Sequence, residues 1–530
     1  EGCGDCGTKS NCLSIEPNET EFGRKRQINQ STCNKDYSCN NGFCPSFVTV
    51  LGGGVRKGKG LESGVASLPE LPDVPEMQLK DDQIYGVLIT GVGGTGVVTI
   101  GQLFGMAAHL DGKGVTVVDQ LGFAQKGGPV KTHVQFSNKP DNIKAVRISQ
   151  GKADLLLGCD MLAASDDQSL GAVLKGKSYA VINNHQSVTG DFTRDAGMEF
   201  PVDKVRERLT AMVGEESLDF IESNKIATAL MGDAIASNLF MVGHAWQKGC
   251  IPLSEEALMK SIELNGVAIA FNQQAFQWGR QFAHNEDAVM DLLQTSSTQT
   301  VDVVKTLPQK IDLRIEELCA FQNAKYADRY KQLVDRVFVI DQKFSKTKLS
   351  EAVAFYAYKL MAYKDEYEVA RLHASPIFRK KLEAQFEGKY KLEFNLAPPI
   401  ISPKDKVTGK PQKIQLGGWM LTAFGILAKF KFLRGTAFDI FGKSAERKME
   451  RRFIEDYFNT VNELLETVSE ENYELAVAIA RIPEDIRGYG HIKEEHAEKA
   501  EAKWGSLLDN WRSGKSKPPL SAIEVEHVSS

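Results

Sequence analysis

At 530 residues the chain is longer than one hydrophobic core sustains and is expected to divide into about three domains. An apolar content of 42% with 25% charged residues is that of an ordinary globular protein and excludes a disordered or fibrous chain. A net charge of −5 offers no basic face for nucleic acid or an anionic membrane, and no apolar run reaches the ~20 residues of a membrane-spanning helix, so a cytoplasmic protein is expected.

Residues 1–50 are poor in apolar side chains but hold Cys3, Cys6, Cys12, Cys33, Cys39 and Cys44. Cys3-x2-Cys6 lets one tight loop present two thiolates to the same metal centre. Cys12 follows, then Cys33-x5-Cys39-x4-Cys44 with Pro45 directly after. A tight cysteine run plus a remote cysteine followed by proline is the spacing of ferredoxin-type cluster binding. A secreted disulfide framework and a structural zinc site compete with it. The first sits poorly with the cytoplasmic character of the rest, and the second is compatible with Cys-x2-Cys. Six thiolates serve one [4Fe–4S] cluster fully and a second only with help. Glu1-Gly2-Cys3 would complete Cys-x2-Cys-x2-Cys if a cysteine preceded Glu1, so the chain is expected to begin inside a cluster motif. Arg24, Lys25 and Arg26 lie between the two groups, where they could offset cluster charge, meet an acidic electron carrier or form a solvated turn. Cys159, Cys250 and Cys319 are isolated beside apolar residues and read as core fillers.

Residues 51–82 turn Gly-rich and then Pro-rich, as a linker does. Residues 83–290 then read as an α/β domain. An apolar run leads into the turn Gly91-x-Gly93-Gly94-x-Gly96, a helix-period segment follows, and a β-branched run ends at Asp119. Further strands are predicted at 153–160 and 178–184, and a long amphipathic helix is predicted from an N-cap at Ser254. Strands alternating with helices imply a parallel sheet. The glycine turn satisfies the dinucleotide-binding spacing, with Asp119 placed for a ribose, so a nicotinamide-dependent oxidoreductase is a competing reading. Residues 291–505 show mainly helical periodicity with a hairpin-like excursion near 401–415, and 506–530 read as a disordered tail. Within the helical part, Arg487 could pair a carboxylate or phosphate and His491 could shuttle a proton, against a plain surface turn. Gln125 and Lys126, before the Gly127-Gly128 bend, could face a ligand or a subunit interface. The basic stretch at 446–453 reads as a solvated helix face.

The blocks "GTGVVTIGQLFGMAAHLDGKGV" and "FAQKGGPVKTHVQFS" resemble the gamma-type domain of 2-oxoacid:ferredoxin oxidoreductases. The cysteine segment and the blocks "FSKTKLSEAVAFYAYKLMAYKDEYEVARL", "FEGKYKLEFNLAPP" and "ARIPEDIRGYGHIKE" resemble the long fused bacterial form of the indolepyruvate ferredoxin oxidoreductase family. The resemblance implies a ferredoxin-like segment, a Rossmann-like gamma-type domain that is not a nicotinamide site, and a mainly helical C-terminal domain. It also implies a thiamine-diphosphate enzyme that oxidatively decarboxylates aryl 2-oxoacids, with electrons leaving singly through [4Fe–4S] clusters to ferredoxin. CoA is the implied acyl acceptor and a homodimer the implied assembly. The nearest approach to a thiamine signature is "MGDAIASN", where the asparagine follows Gly232-Asp233 too soon. The thiamine half with its Mg2+ is therefore expected before Glu1.

Overall fold

The computed structural model describes residues 2–56, 70–122, 128–187, 190–193, 195, 197–296, 305–398, 402–404, 406 and 409–515. With few apolar side chains to bury, the first residues fold into short pieces. These are α1 (Asp5–Ser10), the antiparallel pair β1 (Ile15–Asn18) and β2 (Lys25–Ile28), a 3₁₀ turn at Ser38–Asn41, and strands β3 (Val48–Leu51) and β4 (Gly54–Val55).

The α/β part runs through β5 (Tyr85–Val92), α2 (Val97–Leu110), β6 (Gly114–Leu121), β7 (Pro129–Ser137), β8 (Leu155–Gly158), α3 (Met161–Ala164), α4 (Asp167–Ala172), β9 (Tyr179–Asn183), α5 (Val202–Val213) and β10 (Leu218–Ile221). It ends in α6 (Ser223–Met231), α7 (Ser237–Gln247), α8 (Glu255–Asn265) and α9 (Ile269–His284). The predicted strands at 153–160 and 178–184 are β8 and β9. Sheet order is β10-β9-β8-β5-β7-β6. The four strands from β10 to β5 are parallel, but β7 runs antiparallel between β5 and β6, so the sheet is mixed rather than purely parallel. The cause is the connection after β6: the residues between Leu121 and Pro129 are too few for the crossover that a parallel neighbour needs.

Side chains alternate across the sheet. Val87, Ile89, Leu155, Leu157 and Val181 enter one core layer, and Leu88, Leu156, Ala180 and Ile182 enter the other. Both faces are covered, which is why these strands read as unbroken apolar runs. The helix predicted from Ser254 begins there, with the Ser254 hydroxyl accepting from the Ala257 amide at 3.1 Å. It divides at Gly266, whose φ of 72° is left-handed, into α8 and α9.

The third part contains α10 (Glu286–Ser296), α11 (Leu307–Phe321), α12 (Ala324–Phe344), α13 (Lys348–Met361), α14 (Glu366–Ala374) and α15 (Pro376–Gln385). Three strands follow, β11 (Phe386–Glu387), β12 (Lys391–Leu396) and β13 (Ile414–Gly417), and then α16 (Met420–Leu427), α17 (Ala445–Thr467), α18 (Tyr473–Ala480) and α19 (Gly490–Arg512). Its core buries Tyr330, Tyr457 and Tyr473 completely. Each hydroxyl is satisfied, donating to Ala354 O, Ala480 O and Asp341 Oδ1 at 2.7–2.8 Å. Helix α19 continues into the stretch expected as a disordered tail because Trp504, Leu507 and Trp511 prolong its buried stripe. Residues 516–530 lie outside the described residues.

The cysteine-rich start is fastened to both larger parts. Strand β3 pairs with β12, Val48 opposite Phe394, and completes the sheet β13-β12-β3; β4 pairs with β11. The stretch expected as a linker from residue 51 thus supplies a strand and, further along, Leu79, which is buried in the α/β core. On the other side Thr8 Oγ1 donates to Thr193 O at 2.8 Å and Arg24 Nη1 to Met198 O at 3.0 Å. Backbone pairing and side-chain bonds to neighbours supply what packing within these fifty residues cannot.

Candidate functional site

Cys6 lies in the first turn of α1, where the Ser10 hydroxyl donates to its carbonyl at 2.7 Å and accepts from the Cys12 amide at 3.1 Å. Cys39 rides the 3₁₀ turn. The two pieces meet closely: the Asp5 carboxylate accepts from the Phe43 amide at 2.7 Å, and a Cβ on Gly42 would stand 2.7 Å from Cys6 Cα. Glycine is required there by the close approach.

This junction sorts the six thiols differently from their order in the chain. Cys3, Cys6 and Cys44 interact with one another, and Cys39 interacts with Cys12 and Cys33. Cys12 therefore joins the later group and Cys44 the earlier one, the exchange of a remote cysteine seen in two-centre ferredoxins. Burial pushes the Cys6 thiol up to about 12, with Cys44 and Cys3 adding to it. Burial likewise pushes Cys39 up to about 11, with Cys12 and Cys33 contributing, and raises Cys3. Thiols so placed become thiolates when a cation arrives to compensate them.

A single zinc ion holding thiolates at about 2.3 Å would draw their sulfurs to within about 3.8 Å of one another. Among the described residues no three His, Cys, Asp or Glu side chains are arranged to hold one metal ion. The donor set fits an iron–sulfur cluster in each group, with one thiol short of four in both. Lys35 N–H already donates to Cys33 Sγ at 3.4 Å.

Cations approach both groups. Burial lowers the Arg26 pKa while Cys6 and Cys3 oppose the shift, and its guanidinium stacks 4.0 Å above the Phe192 ring. Lys413, which the sequence did not mark, is the more central cation. It donates to Cys44 O at 2.6 Å and Asn40 O at 3.3 Å, and it is felt by Cys44, Cys6 and Cys39. Only the pairing of β13 with β12, and of β12 with β3, carries it there, so no local pattern announces it. Arg487 and His491 also arrive beside this segment. His491 packs 4.9 Å from the Phe43 ring and burial lowers its pKa. Arg487 donates through Nε to Glu484 O at 2.8 Å and lies near Arg26. Neither lines either of the two cavities described below.

The glycine turn is closed by its own chain. Gly93 N donates to Gly128 O at 2.9 Å, Thr95 Oγ1 to Val92 O at 2.7 Å, and Asn238 Nδ2 to Thr95 O at 2.5 Å. A Cβ on Gly91 would meet Val97 Cγ2 at 2.5 Å, while Gly94 and Gly96 have φ near 90°. Asp119 is separated from the turn by β7 and accepts from Thr132 Oγ1 at 2.6 Å. The strand carrying it is therefore not the neighbour of β5, as a nucleotide ribose contact would need. Gln125 and Lys126 lie outside the described residues. "MGDAIASN" is likewise structural: Gly232 ends α6 and Asp233 caps the next turn at the Ile235 amide.

A cavity of about 620 Å³ opens at β10, where Asp219 accepts from the Tyr179 hydroxyl and pairs with His244, both at 2.8 Å. Burial would raise the Asp219 pKa, but these two bonds hold it below its ordinary value. A second cavity, about 520 Å³, lies between α14, α15 and β12 beside His373.

Residues 86–282 match the family described as pyruvate ferredoxin/flavodoxin oxidoreductase, and residues 307–506 match a family of unknown function, DUF6537. The chain is similar to the indolepyruvate oxidoreductase subunit IorB of Thermococcus kodakarensis, 27% identical over 198 residues that make up 37% of this chain and 94% of that one. It is also similar to the pyruvate/ketoisovalerate oxidoreductases common subunit gamma of Pyrococcus furiosus, 25% identical over 170 residues, 32% of this chain and 81% of the other. Among solved structures, the pyruvate oxidoreductase subunit PORC of Thermotoga maritima aligns with a TM-score of 0.28 at 18% identity, over 37% of this chain and 96% of that one.

Proposed function

We propose, from the match of residues 86–282 to the pyruvate ferredoxin/flavodoxin oxidoreductase family, that this part is a 2-oxoacid:ferredoxin oxidoreductase gamma-type domain and that the chain is the electron-carrying portion of an indolepyruvate-type ferredoxin oxidoreductase. The observation that carries the reading is the gathering of the cysteine pieces at one junction, where the Asp5 carboxylate takes the Phe43 amide, Gly42 seats against Cys6 and Lys413 donates to Cys44 O. Such an enzyme needs one-electron acceptance after an aryl 2-oxoacid loses CO2, which [4Fe–4S] clusters supply when bound and which thiamine diphosphate with Mg2+ initiates in another part of the enzyme.

The residues of this chain hold and tune. Cys3, Cys6 and Cys44 would hold one cluster, and Cys12, Cys33 and Cys39 the other. Arg26 and Lys413 offset the negative charge that thiolates and added electrons bring. Docking of the segment against both larger parts keeps water from Cys6, which is 5% exposed, while Cys3 and Cys44 are half-buried. The reading carries with it ferredoxin as electron acceptor, CoA as acyl acceptor, a homodimer and a cytoplasmic location. Arg487 and His491 serve in it as packing partners of the cysteine segment rather than as substrate groups.

The test is 2-oxoacid-dependent viologen reduction under argon. The chain alone, iron-loaded and given thiamine diphosphate, Mg2+, CoA and ferredoxin, is expected to be inactive with indolepyruvate or phenylpyruvate. The same chain joined to a thiamine-binding portion is expected to turn over. Equal rates from both would overturn the division of labour, and inactivity of the fully loaded longer enzyme would overturn the substrate reading.

A further inference from the structure

Cys12 and Cys33 gather with Cys39, making three thiols, and a four-iron cluster needs a fourth donor. The other cysteines are spoken for: Cys44 goes with Cys3 and Cys6, Cys159 and Cys250 are buried in the α/β core, and Cys319 belongs to α11 in the helical part. Between Cys33 and Cys39 the chain reads Cys33-Asn-Lys-Asp36-Tyr-Ser-Cys39. Two residues separate Asp36 from each flanking cysteine, the position where a Cys-x2-Cys-x2-Cys run places its middle thiolate. We propose that Asp36 is the fourth ligand of the second cluster, completing Cys12, Cys33 and Cys39 with a carboxylate oxygen. The assignment rests on the cluster reading above.

The local structure agrees with that role. Asp36 is close enough to Cys39 for its charge to act on the thiol. Its carboxylate is oriented rather than loose, since Oδ1 accepts from the Ser38 amide at 3.0 Å and the Ser38 hydroxyl at 2.7 Å. Oδ2 takes a longer contact, 3.3 Å, from Asn34 Nδ2. Lys35 and Tyr37, on either side, are both left-handed at φ 59° and 56°. That conformation is costly for bulky side chains, and it accompanies the turn that brings the Lys35 amide to Cys33 Sγ at 3.4 Å. A carboxylate is a harder donor than a thiolate, so the iron it holds is the one most readily lost. The bland alternative is that Asp36 only caps the 3₁₀ turn through Ser38.

Two variants of the full chain separate these roles. Asp36→Asn keeps a good cap but is a poor ligand; Asp36→Cys supplies a ligand but no comparable cap. Each is reconstituted anaerobically and read for iron, sulfide and the EPR signal of an oxidised three-iron cluster. Ferricyanide oxidation converts a four-iron cluster to the three-iron form by taking one electron and releasing one ferrous ion. Asp36→Asn is expected to hold about one iron per chain fewer than the parent and to show a stronger three-iron signal than the parent before oxidant is added. Asp36→Cys is expected to keep full iron and to release about one iron per chain fewer than the parent on oxidation. A brown parent whose two variants match it in iron and in oxidative release would overturn the assignment alone. A parent without iron and sulfide would overturn the cluster reading, and this assignment with it.

Discussion

In the glycine turn at Gly91–Gly96 the chain satisfies itself: one amide is taken by Gly128, one carbonyl by Asn238, and the acidic residue that would greet a ribose is held by Thr132 across an intervening strand. In the cysteine segment the reverse holds. Burial, with neighbouring thiols adding to it, raises the pKa values of Cys3, Cys6 and Cys39, and the cations Arg26 and Lys413 stand beside the segment. Both stretches carry a cofactor-like spacing, but only one leaves charge to be compensated. A motif becomes a site when the fold around it leaves a deficit that a ligand repairs.

The sharpest way to break that contrast is to remove thiols. Cys6→Ser and Cys39→Ser, each from a different group, are each expected to cost about half of the bound iron, and the double variant nearly all of it. Loss of all iron in either single variant would mean one shared centre rather than two.

Next in size is Lys413→Met. Removing a half-buried cation disfavours the reduced, more negative cluster, so the midpoint potential should fall. A drop of about 60–120 mV corresponds to one to two powers of ten for a one-electron couple. An unchanged potential would show that Lys413 merely ties Cys44 O to Asn40 O.

Much of this was legible in the sequence, for identifiable reasons. Strands β8 and β9 announced themselves because both faces are buried, and Ser254 because a cap followed by two acids is a local signal. The exchange of Cys12 and Cys44 between groups was hidden, since it depends on Gly42 seating the 3₁₀ turn against Cys6. Strand β7 was missed as a partner of β5, and with it the reason that Asp119 stands away from the glycine turn. Lys413 depends on a three-stranded sheet whose strands come from distant parts of the chain.

On the glycine side, Asn238→Ala removes the bond to Thr95 O and is expected to cost about 1–2 kcal/mol in the α/β part, read as a lower denaturant midpoint with bound iron unchanged. Neither NADH nor NADPH is expected to bind at micromolar concentration. A micromolar Kd that disappears in Gly93→Val would return the glycine turn to the role of a nucleotide site.

The smallest effect is on pH. Burial among Phe378, Phe394 and Phe424 lowers the His373 pKa, although its Nε2 contact with Pro45 O at 3.2 Å opposes the shift. A histidine lowered by folding is neutral in the native state while the unfolded chain takes up a proton. Stability is therefore full above the unfolded value of about 6.5 and declines as pH falls from there toward the folded pKa. His133 and His491 are lowered too and contribute with the same sign. His373→Phe should flatten part of that slope in urea melts between about pH 6.5 and 5; an unaltered slope would assign it to the other two.

The central claim, that the cysteine segment and not the glycine turn is the cofactor site, is tested most directly by iron and acid-labile sulfide analysis of the anaerobically purified chain. The expected result is a brown protein with about four or more irons per chain, matching sulfide, and a broad absorption that dithionite bleaches. A colourless protein carrying stoichiometric zinc and no sulfide would contradict it.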